Sequence, residues 1–163
     1  MGHMNAPSPW LDAEQQKLWQ DLLTVVIAMP AILDRQLRRD AGMSNFEYSV
    51  LARLSMADEA TMRLGQLARG CDSTLPRLSK LMDRFEAREW LVRRADPSDG
   101  RYTLATLTDS GRQIVVDSAP GHVAQVRHLV FDPLTTVQLR HLGAALSSVA
   151  ETVRRETAGG SAG

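Results

Sequence analysis

The stretch Asp96-Pro97-Ser98-Asp99-Gly100-Arg101 decides the fold of this 163-residue chain. A proline, a glycine and short polar side chains in one run are typical of a tight turn. Strand-like segments at residues 91–94 and 103–107 flank it, so the sequence predicts a two-stranded hairpin with one arginine at its tip.

A helix with a basic stripe precedes this hairpin. Its expected core face is apolar and holds Leu75, Leu78, Leu81, Met82 and Phe85. Basic residues recur at helical spacing on another face, namely Arg77, Lys80, Arg84 and Arg88. Pro76 suits the first turn, where its missing N–H costs little. Either Asp72 or Ser73 is expected to cap the helix.

Helical patterns also precede this helix. Apolar residues at three- and four-residue steps predict a first helix from about residue 12 to about residue 39, kinked rather than ended by Pro30 and closed by Gly42. Ser44 and Glu47 form a capping box that opens a short second helix. A third helix is expected near residues 63–69.

Two long helices are predicted after the hairpin. Thr108 is expected to cap the first of them, which should be kinked or interrupted at Pro120-Gly121. Thr135 and Gln138 form a second capping box, opening a last helix to about Glu156. These outer helices are more apolar than one small domain needs, and a second copy of the chain is the simplest partner.

The net charge is zero, but its distribution is uneven. Residues 63–101 hold nine Arg or Lys against six Asp or Glu, whereas residues 1–62 hold five against eight. The positive part therefore coincides with the basic helix and the hairpin. No apolar run reaches the roughly 18 residues of a membrane span. The single cysteine, Cys71, excludes an internal disulfide and suits a reducing cytoplasm.

The order of long helix, three short helices, hairpin and two long helices predicts a mainly α fold. Its core would be a winged helix-turn-helix, with the hairpin as a small β wing. Over about residues 11–156 the chain resembles the MarR family of bacterial transcriptional regulators. The resemblance is carried by a succession of motifs: Leu67-Ala68, residues 78–86 (LSKLMDRFE), residues 90–94 (WLVRR), residues 96–101 (DPSDGR) and residues 107–112 (LTDSGR).

The resemblance implies an obligate homodimer whose long helices flank two winged domains. These domains would bind a pseudo-palindromic operator in double-stranded DNA. In the family this binding is often relieved by a small aromatic acid, a drug-like molecule or an oxidant. The predicted segments are 1–10 (tag remnant and N-terminal arm), 11–43 (first dimerisation part), 44–108 (DNA-binding domain), 109–156 (second dimerisation part) and 157–163 (disordered tail). By this resemblance the basic helix would be the helix that reads DNA, here called the reading helix. Two positions depart from the family pattern: Glu89 replaces the usual glycine after the reading helix, and Gly100 replaces a basic wing residue.

The candidate DNA contacts lie at the start of the reading helix and at the wing tip. They are Ser73, Thr74, Pro76, Arg77, Ser79, Lys80, Arg84 and Arg101. Arg77 could pair with guanine and Lys80 with phosphate, while Arg101 could enter the minor groove, supported by Asp96 or Asp99. The alternative is a solvated basic face and a turn salt bridge. Arg84 stays open because Asp83 and Glu86 are near enough to engage it.

An effector pocket is a further candidate site. Aromatic residues and one arginine could line it, namely Trp10, Trp19, Phe46, Tyr48 and Arg53, although aromatic residues at helical spacing are more often core. Cys71 is better explained as a packed turn residue than as a redox switch. His122 and His128 lack a third ligand with suitable spacing, so no metal site is predicted, and no cofactor is implied.

These observations favour a homodimeric, sequence-specific DNA-binding regulator, interpreted as a cytoplasmic repressor that a small aromatic or phenolic effector releases. The alternative is a helical protein–protein interaction module that kept the winged fold without binding an operator. An enzyme is disfavoured because the sequence shows no nucleophile with a nearby base and no phosphate loop.

Overall fold

The computed structural model describes residues 9–159, and the chain divides between His122 and Val123 into two compact units. The first unit contains α1 (Ala13–Ala41), α2 (Asn45–Ser55), β1 (Thr61–Arg63), α3 (Leu64–Gly70), α4 (Leu75–Ala87), β2 (Leu91–Asp96), β3 (Asp99–Leu107) and most of α5 (Asp109–Val126). The second contains the end of α5, a π-helical turn (Arg127–Phe131) and α6 (Thr136–Gly159). The mainly α fold with a small β wing is confirmed.

Local capping signals place the first two helices as expected. α1 begins at a capping box made by Asp12 and Gln15, continues through Pro30, and ends at Gly42 in the left-handed conformation (φ 64°). At the start of α2 the Ser44 hydroxyl accepts from the Glu47 N–H, and the Glu47 carboxylate accepts from the Ser44 N–H at 2.7 Å. This confirms the predicted capping box.

The start of α4, the helix before the wing, differs from the prediction in two ways. Its cap is Thr74, whose hydroxyl accepts from the Arg77 N–H at 3.4 Å, and neither Asp72 nor Ser73. Asp72 instead takes a left-handed backbone conformation in the preceding turn (φ 46°). Leu75, predicted in the core face, is half exposed because it stands at the first position of the helix, ahead of the buried row.

The end of α4 is a Schellman motif built around a residue other than glycine. The Trp90 N–H reaches the Phe85 carbonyl and the Glu89 N–H reaches the Glu86 carbonyl, both at 2.9 Å. The Phe85 and Trp90 rings pack 5.6 Å apart. Glu89 is left-handed (φ 58°), so the position that departs from the family glycine does carry backbone strain.

A three-stranded antiparallel sheet with the order β1-β3-β2 forms the wing and its base. The sequence missed β1, which is only three residues long. The hairpin strands are longer than predicted and leave Pro97 and Ser98 as the turn. A register irregularity at Ala95/Asp96 lets Asp96 pair with Asp99. The turn is therefore tighter than the six-residue turn predicted over residues 96–101.

One core joins the helices to this sheet. α4 contributes Leu78, Leu81, Met82 and Phe85, each at most 1% exposed. The other side chains with at most 1% exposure come from α1, α2, α3, the sheet and their connections: Leu37, Met43, Val50, Leu51, Leu54, Ala60, Leu67, Leu91 and Ala105. Because α4 buries one face here, its opposite face is left for solvent or a ligand.

The beginning of α5 contacts the turn that follows α4. Thr108 caps α5 as predicted, since its hydroxyl accepts from the Gly111 N–H at 3.0 Å. The same hydroxyl donates to the Glu89 carbonyl at 2.6 Å. The helix is continuous through Pro120 and is not interrupted at Pro120-Gly121, and the change in its hydrogen bonding comes at Arg127–Phe131.

In the second unit the predicted capping box is present: the Thr135 N–H donates to the Gln138 side chain at 2.9 Å. α6 runs to Gly159, so residues 157–159, predicted as disordered tail, are helical. Residues 160–163 of that tail, and residues 1–8 of the predicted tag remnant and arm, lie outside the described residues. The assignment of segments to dimerisation and DNA binding stays a prediction.

Candidate nucleic-acid interface

The outward face of α4 presents the predicted contact residues at its amino-terminal half. Thr74, Pro76, Arg77 and Lys80 are exposed, while Ser73 and Ser79 are partly buried. The Thr74 hydroxyl is already occupied as the helix cap. That cap uses the hydroxyl oxygen as an acceptor, so the Thr74 O–H and the basic side chains are among the groups on this face that can donate to a ligand.

Arg77 stacks on an aromatic ring instead of pairing with a carboxylate. Its guanidinium carbon lies 4.3 Å from the centroid of the Phe46 ring, which belongs to the first turn of α2. Within residues 9–159 neither Arg77 nor Lys80 has an ion pair. A groove of about 660 Å³ runs beside them, lined by Arg38, Ser44, Phe46, Pro76, Arg77, Lys80, Leu81 and Arg84.

Arg84 contacts a carboxylate that the sequence did not suggest. Its guanidinium lies 3.0 Å from the Glu47 carboxylate, the same group that caps α2. The expected partners, Asp83 and Glu86, are both engaged by Arg93 from β2. The hydrogen bond from Arg93 is also the main reason why the pKa of Glu86 is lowered. Arg84 thus links α4 to α2.

At the wing tip Arg101 is held by Asp99. The Arg101 Nε donates to one Asp99 oxygen at 2.9 Å and an Nη donates to the other at 2.6 Å. These hydrogen bonds lower the pKa of Asp99. The Arg101 side chain is nevertheless 83% exposed, so the fork on Asp99 orients a guanidinium whose outer edge faces solvent.

Asp96 supports the turn and contacts Arg63, not Arg101. Its carboxylate accepts from the Ser98 N–H at 2.8 Å, from the Ser98 hydroxyl at 2.7 Å and from the Arg63 Nε at 2.7 Å. These bonds, those of Ser98 first, lower the pKa of Asp96 to about 2. The Arg63 guanidinium also lies 4.5 Å from the centroid of the Tyr102 ring.

Sequence reasoning missed Arg63, which was expected only at the start of the third helix. It stands at the end of β1, and its partner Asp96 is 33 residues away along the chain. No local pattern reports a pair so far apart. The available signal was the presence of Asp96, Asp99 and Arg101 in one turn, and it suggested only Arg101 as a partner for the carboxylates.

The predicted effector residues have separate neighbours. Phe46 lies under Arg77, whereas Tyr48 is buried with its ring 4.6 Å from that of His122. Burial raises the pKa of Tyr48. Of these five residues, only Phe46 lines the groove beside α4. Trp10 and Trp19 are 81% and 47% exposed.

Cys71 and Arg53 form a further contact in the helix-turn-helix turn. The cysteine is half-buried, and burial raises the pKa of its thiol, against the smaller opposing effect of the Arg53 guanidinium. The buried Nδ1 of His122 has no hydrogen-bond partner in the described part of the chain, and burial lowers the pKa of this histidine. Across residues 9–159 no group of three His, Cys, Asp or Glu side chains could hold a metal ion. None of the described helices has the length and apolar character that a membrane crossing requires.

Comparison with known proteins adds to this geometry. Residues 41–101 match the MarR family profile. The crystal structure of Sco3205, a MarR family transcriptional regulator from Streptomyces coelicolor in complex with DNA, has a TM-score of 0.83 at 40% identity, covering 88% of this chain and 94% of that one. AbsC, a MarR family regulator from the same organism, has a TM-score of 0.83 at 32% identity, covering 89% and 97%.

A curated relative agrees with these structures. The HTH-type transcriptional regulator YxaD of Bacillus subtilis, itself uncharacterised, is 32% identical over 93 residues, which are 57% of this chain. The chain spans 64% of the length of that relative. Members of the family are transcriptional regulators and not enzymes. The winged helix-turn-helix, the motif succession and these similarities together show that the chain belongs to the MarR family of transcriptional regulators.

Proposed function

We propose that this protein is a homodimeric, sequence-specific DNA-binding repressor that a small aromatic or phenolic effector releases. The observation that carries DNA binding is the pairing of two exposed basic elements. Arg77 and Lys80 stand on the outward face of α4 without ion pairs among the described residues, and Arg101 is oriented at the wing tip by Asp99. The relative Sco3205 was solved in complex with DNA.

Each basic residue suits a different contact. The amino-terminal end of a reading helix meets base edges in the major groove, where the guanidinium of Arg77 can donate twice to guanine. The compact ammonium of Lys80 suits a phosphate. Arg101, at the exposed tip of the hairpin, suits the narrow and electronegative minor groove beside it. Arg84 is a weaker candidate, since Glu47 already neutralises it.

The homodimer is supported by apolar side chains that stay exposed on the long helices among the described residues. α6 exposes a row at steps of three to five residues: Val137, Leu142, Leu146, Val149 and Val153. α1 likewise exposes Leu18, Trp19, Leu23, Val25, Val26 and Ile27. Rows of this kind are covered in stable proteins, and a second copy of the chain would cover them symmetrically. The two reading helices of the dimer would then bind half-sites about one turn of the DNA helix apart.

The proposed effector would act through this symmetry. A small molecule that binds one dimer geometry better than another shifts the population toward it. Repression ends if the favoured geometry no longer matches the half-site spacing. An aromatic or phenolic molecule is proposed from the family resemblance, because the five candidate pocket residues have separate neighbours in the structure. A DNA-binding protein with one half-buried, unpaired cysteine suits a reducing cytoplasm.

The test is a fluorescence-anisotropy titration of the purified protein against the DNA upstream of its own gene, beside scrambled DNA. Affinity should fall by roughly 10³- to 10⁵-fold between 50 and 200 mM salt if six to ten phosphates are contacted. Arg101→Ala should weaken binding by roughly ten-fold. Arg88→Ala is the matched control, because it removes the same charge at the far end of α4, where Arg88 stacks on Trp90.

The outcomes separate the two candidate functions. Selective, salt-sensitive binding that Arg101→Ala weakens and Arg88→Ala keeps would support the regulator, and compounds could then be screened by release of the DNA. Equal affinity for upstream, scrambled and library-selected DNA would refute it and favour the protein-interaction module.

A further inference from the structure

We propose that Phe46 is a positioning residue for base reading, acting through Arg77. Its ring, on the first turn of α2, holds the Arg77 guanidinium in one orientation on the outward face of α4. This inference rests on the proposed DNA binding and adds a residue outside the reading helix and wing to the determinants of sequence selectivity.

The first argument is the kind of contact that Arg77 makes. Its guanidinium carbon lies 4.3 Å from the Phe46 ring centroid, and a cation over an aromatic face leaves the N–H donors at its edge uncommitted. Four other arginines of the winged domain instead pair with carboxylates, namely Arg63, Arg84, Arg93 and Arg101. Arg77 is thus restrained without losing the donors that a guanine requires.

The second argument is that the ring itself is fixed relative to α4. Phe46 lies between the two members of the α2 capping box, Ser44 and Glu47. The Asn45 N–H beside it donates to a carboxylate oxygen of Asp34 in α1 at 3.0 Å. Glu47 in turn contacts Arg84 on α4 at 3.0 Å. The first turn of α2 is therefore bound to α4 at two points, one being the stacked ring.

The consequence is a lower entropic cost when the Arg77 side chain docks on a base. A free arginine side chain loses much of its rotamer freedom when it docks on a base, and a side chain already restrained loses less. Restraint also favours one direction of approach, so it should act on discrimination between bases more than on phosphate contacts. Removal of the ring should therefore reduce selectivity while leaving the salt dependence unchanged.

The experiment is a double-mutant cycle on a DNA site selected from a random library by the wild-type protein. Phe46→Leu and Phe46→Met remove the ring but keep an apolar side chain, and Phe46→Tyr keeps the ring. Each is measured with Arg77 present and in an Arg77→Ala background. Affinity for the selected site, for single base-pair variants and for scrambled DNA is recorded at several salt concentrations, with a thermal melt of each protein.

Phe46→Leu is expected to weaken binding to the selected site by about two- to five-fold and to flatten discrimination at the base pair that Arg77→Ala also affects. Phe46→Tyr should retain both properties. In the Arg77→Ala background, which itself should lose roughly 5- to 150-fold, Phe46→Leu should have no further effect. The slope of affinity against salt should stay unchanged.

Selective wild-type binding combined with equal losses from Phe46→Leu in both backgrounds would overturn this inference and leave the proposed function intact. A loss of affinity in proportion to thermal stability, without a change in base discrimination, would do the same. A wild-type protein that enriches no sequence would overturn both.

Discussion

Gly111→Ala should destabilise this protein by several kcal/mol, because α5 crosses the end of α4 at van der Waals distance. A Cβ added at Gly111 would lie 1.9 Å from the Trp90 carbonyl oxygen and 2.8 Å from its carbonyl carbon. The obstacle is backbone, and that backbone is fixed. The Trp90 carbonyl accepts from the Thr108 N–H at 3.1 Å, and the Trp90 N–H closes the Schellman motif.

The magnitude can be worked from these contacts. Clearing the oxygen needs a backbone shift of about 1 Å in a close-packed region, and overpacking of this kind costs about 1–3 kcal/mol. The shift would also lengthen the hydrogen bonds that Thr108 makes to Trp90, Glu89 and Gly111, worth about 1 kcal/mol each. With all three bonds lost, the total is about 4–6 kcal/mol, against a typical stability of about 5–15 kcal/mol.

The assay is urea denaturation followed by circular dichroism, at one protomer concentration for all variants. In a separate thermal melt, the melting temperature should fall by roughly 2–4 °C per kcal/mol. Gly100→Ala is the matched control, because a Cβ there meets nothing within 4 Å, and its effect should stay within about 0.5 kcal/mol. If Gly111→Ala unfolds within about 1 kcal/mol of the wild type, the close crossing of α5 and Trp90 is wrong.

Three further predictions follow from single positions. Glu89→Asn should raise the free energy of unfolding by up to about 1 kcal/mol in urea denaturation, since asparagine tolerates the left-handed backbone better, and an unchanged or lower value would contradict the strain at φ 58°. The pKa of Asp96, lowered from 3.8 to about 2, means that its ionised form contributes stability above about pH 4. That contribution is lost as the pH falls toward 2, so Asp96→Asn should flatten this part of the acid-unfolding curve, whereas a parallel curve would argue against it. Because burial raises the pKa of the Cys71 thiol, iodoacetamide should modify it more slowly at neutral pH than a free cysteine. Cys71→Ala should keep the affinity for DNA. Modification as fast as that of a free cysteine would contradict the burial of this thiol.

Local sequence signals account for most of the helix boundaries. The capping boxes at Ser44 and Thr135 and the cap at Thr108 need only residues three positions apart. The Asp72 or Ser73 cap was wrong for a related reason. Several capping residues stand in a row there, and the left-handed conformation of Asp72 moves the start of α4 on to Thr74.

Partners far apart in the chain were not predictable in this way. Sequence proximity suggests Asp83 and Glu86 on α4 as partners of Arg84, but the structure pairs it with Glu47 of another helix. The three-residue β1 is too short to give a pattern, and it exists because β3 offers it an edge to pair with. Arg63 reaches Asp96 only once that pairing is made.

The sequence by itself determined the order of the helices and the wing, the caps of α2, α5 and α6, and the family, because each of these depends on side chains within a few positions or on a succession of motifs. Only the tertiary structure decided which charges stay available. Packing places Glu47 against Arg84 and carries Arg93 to Asp83 and Glu86. Among the described residues Arg77 is left on the Phe46 ring without an ion pair, since these charges are matched through space and not along the chain.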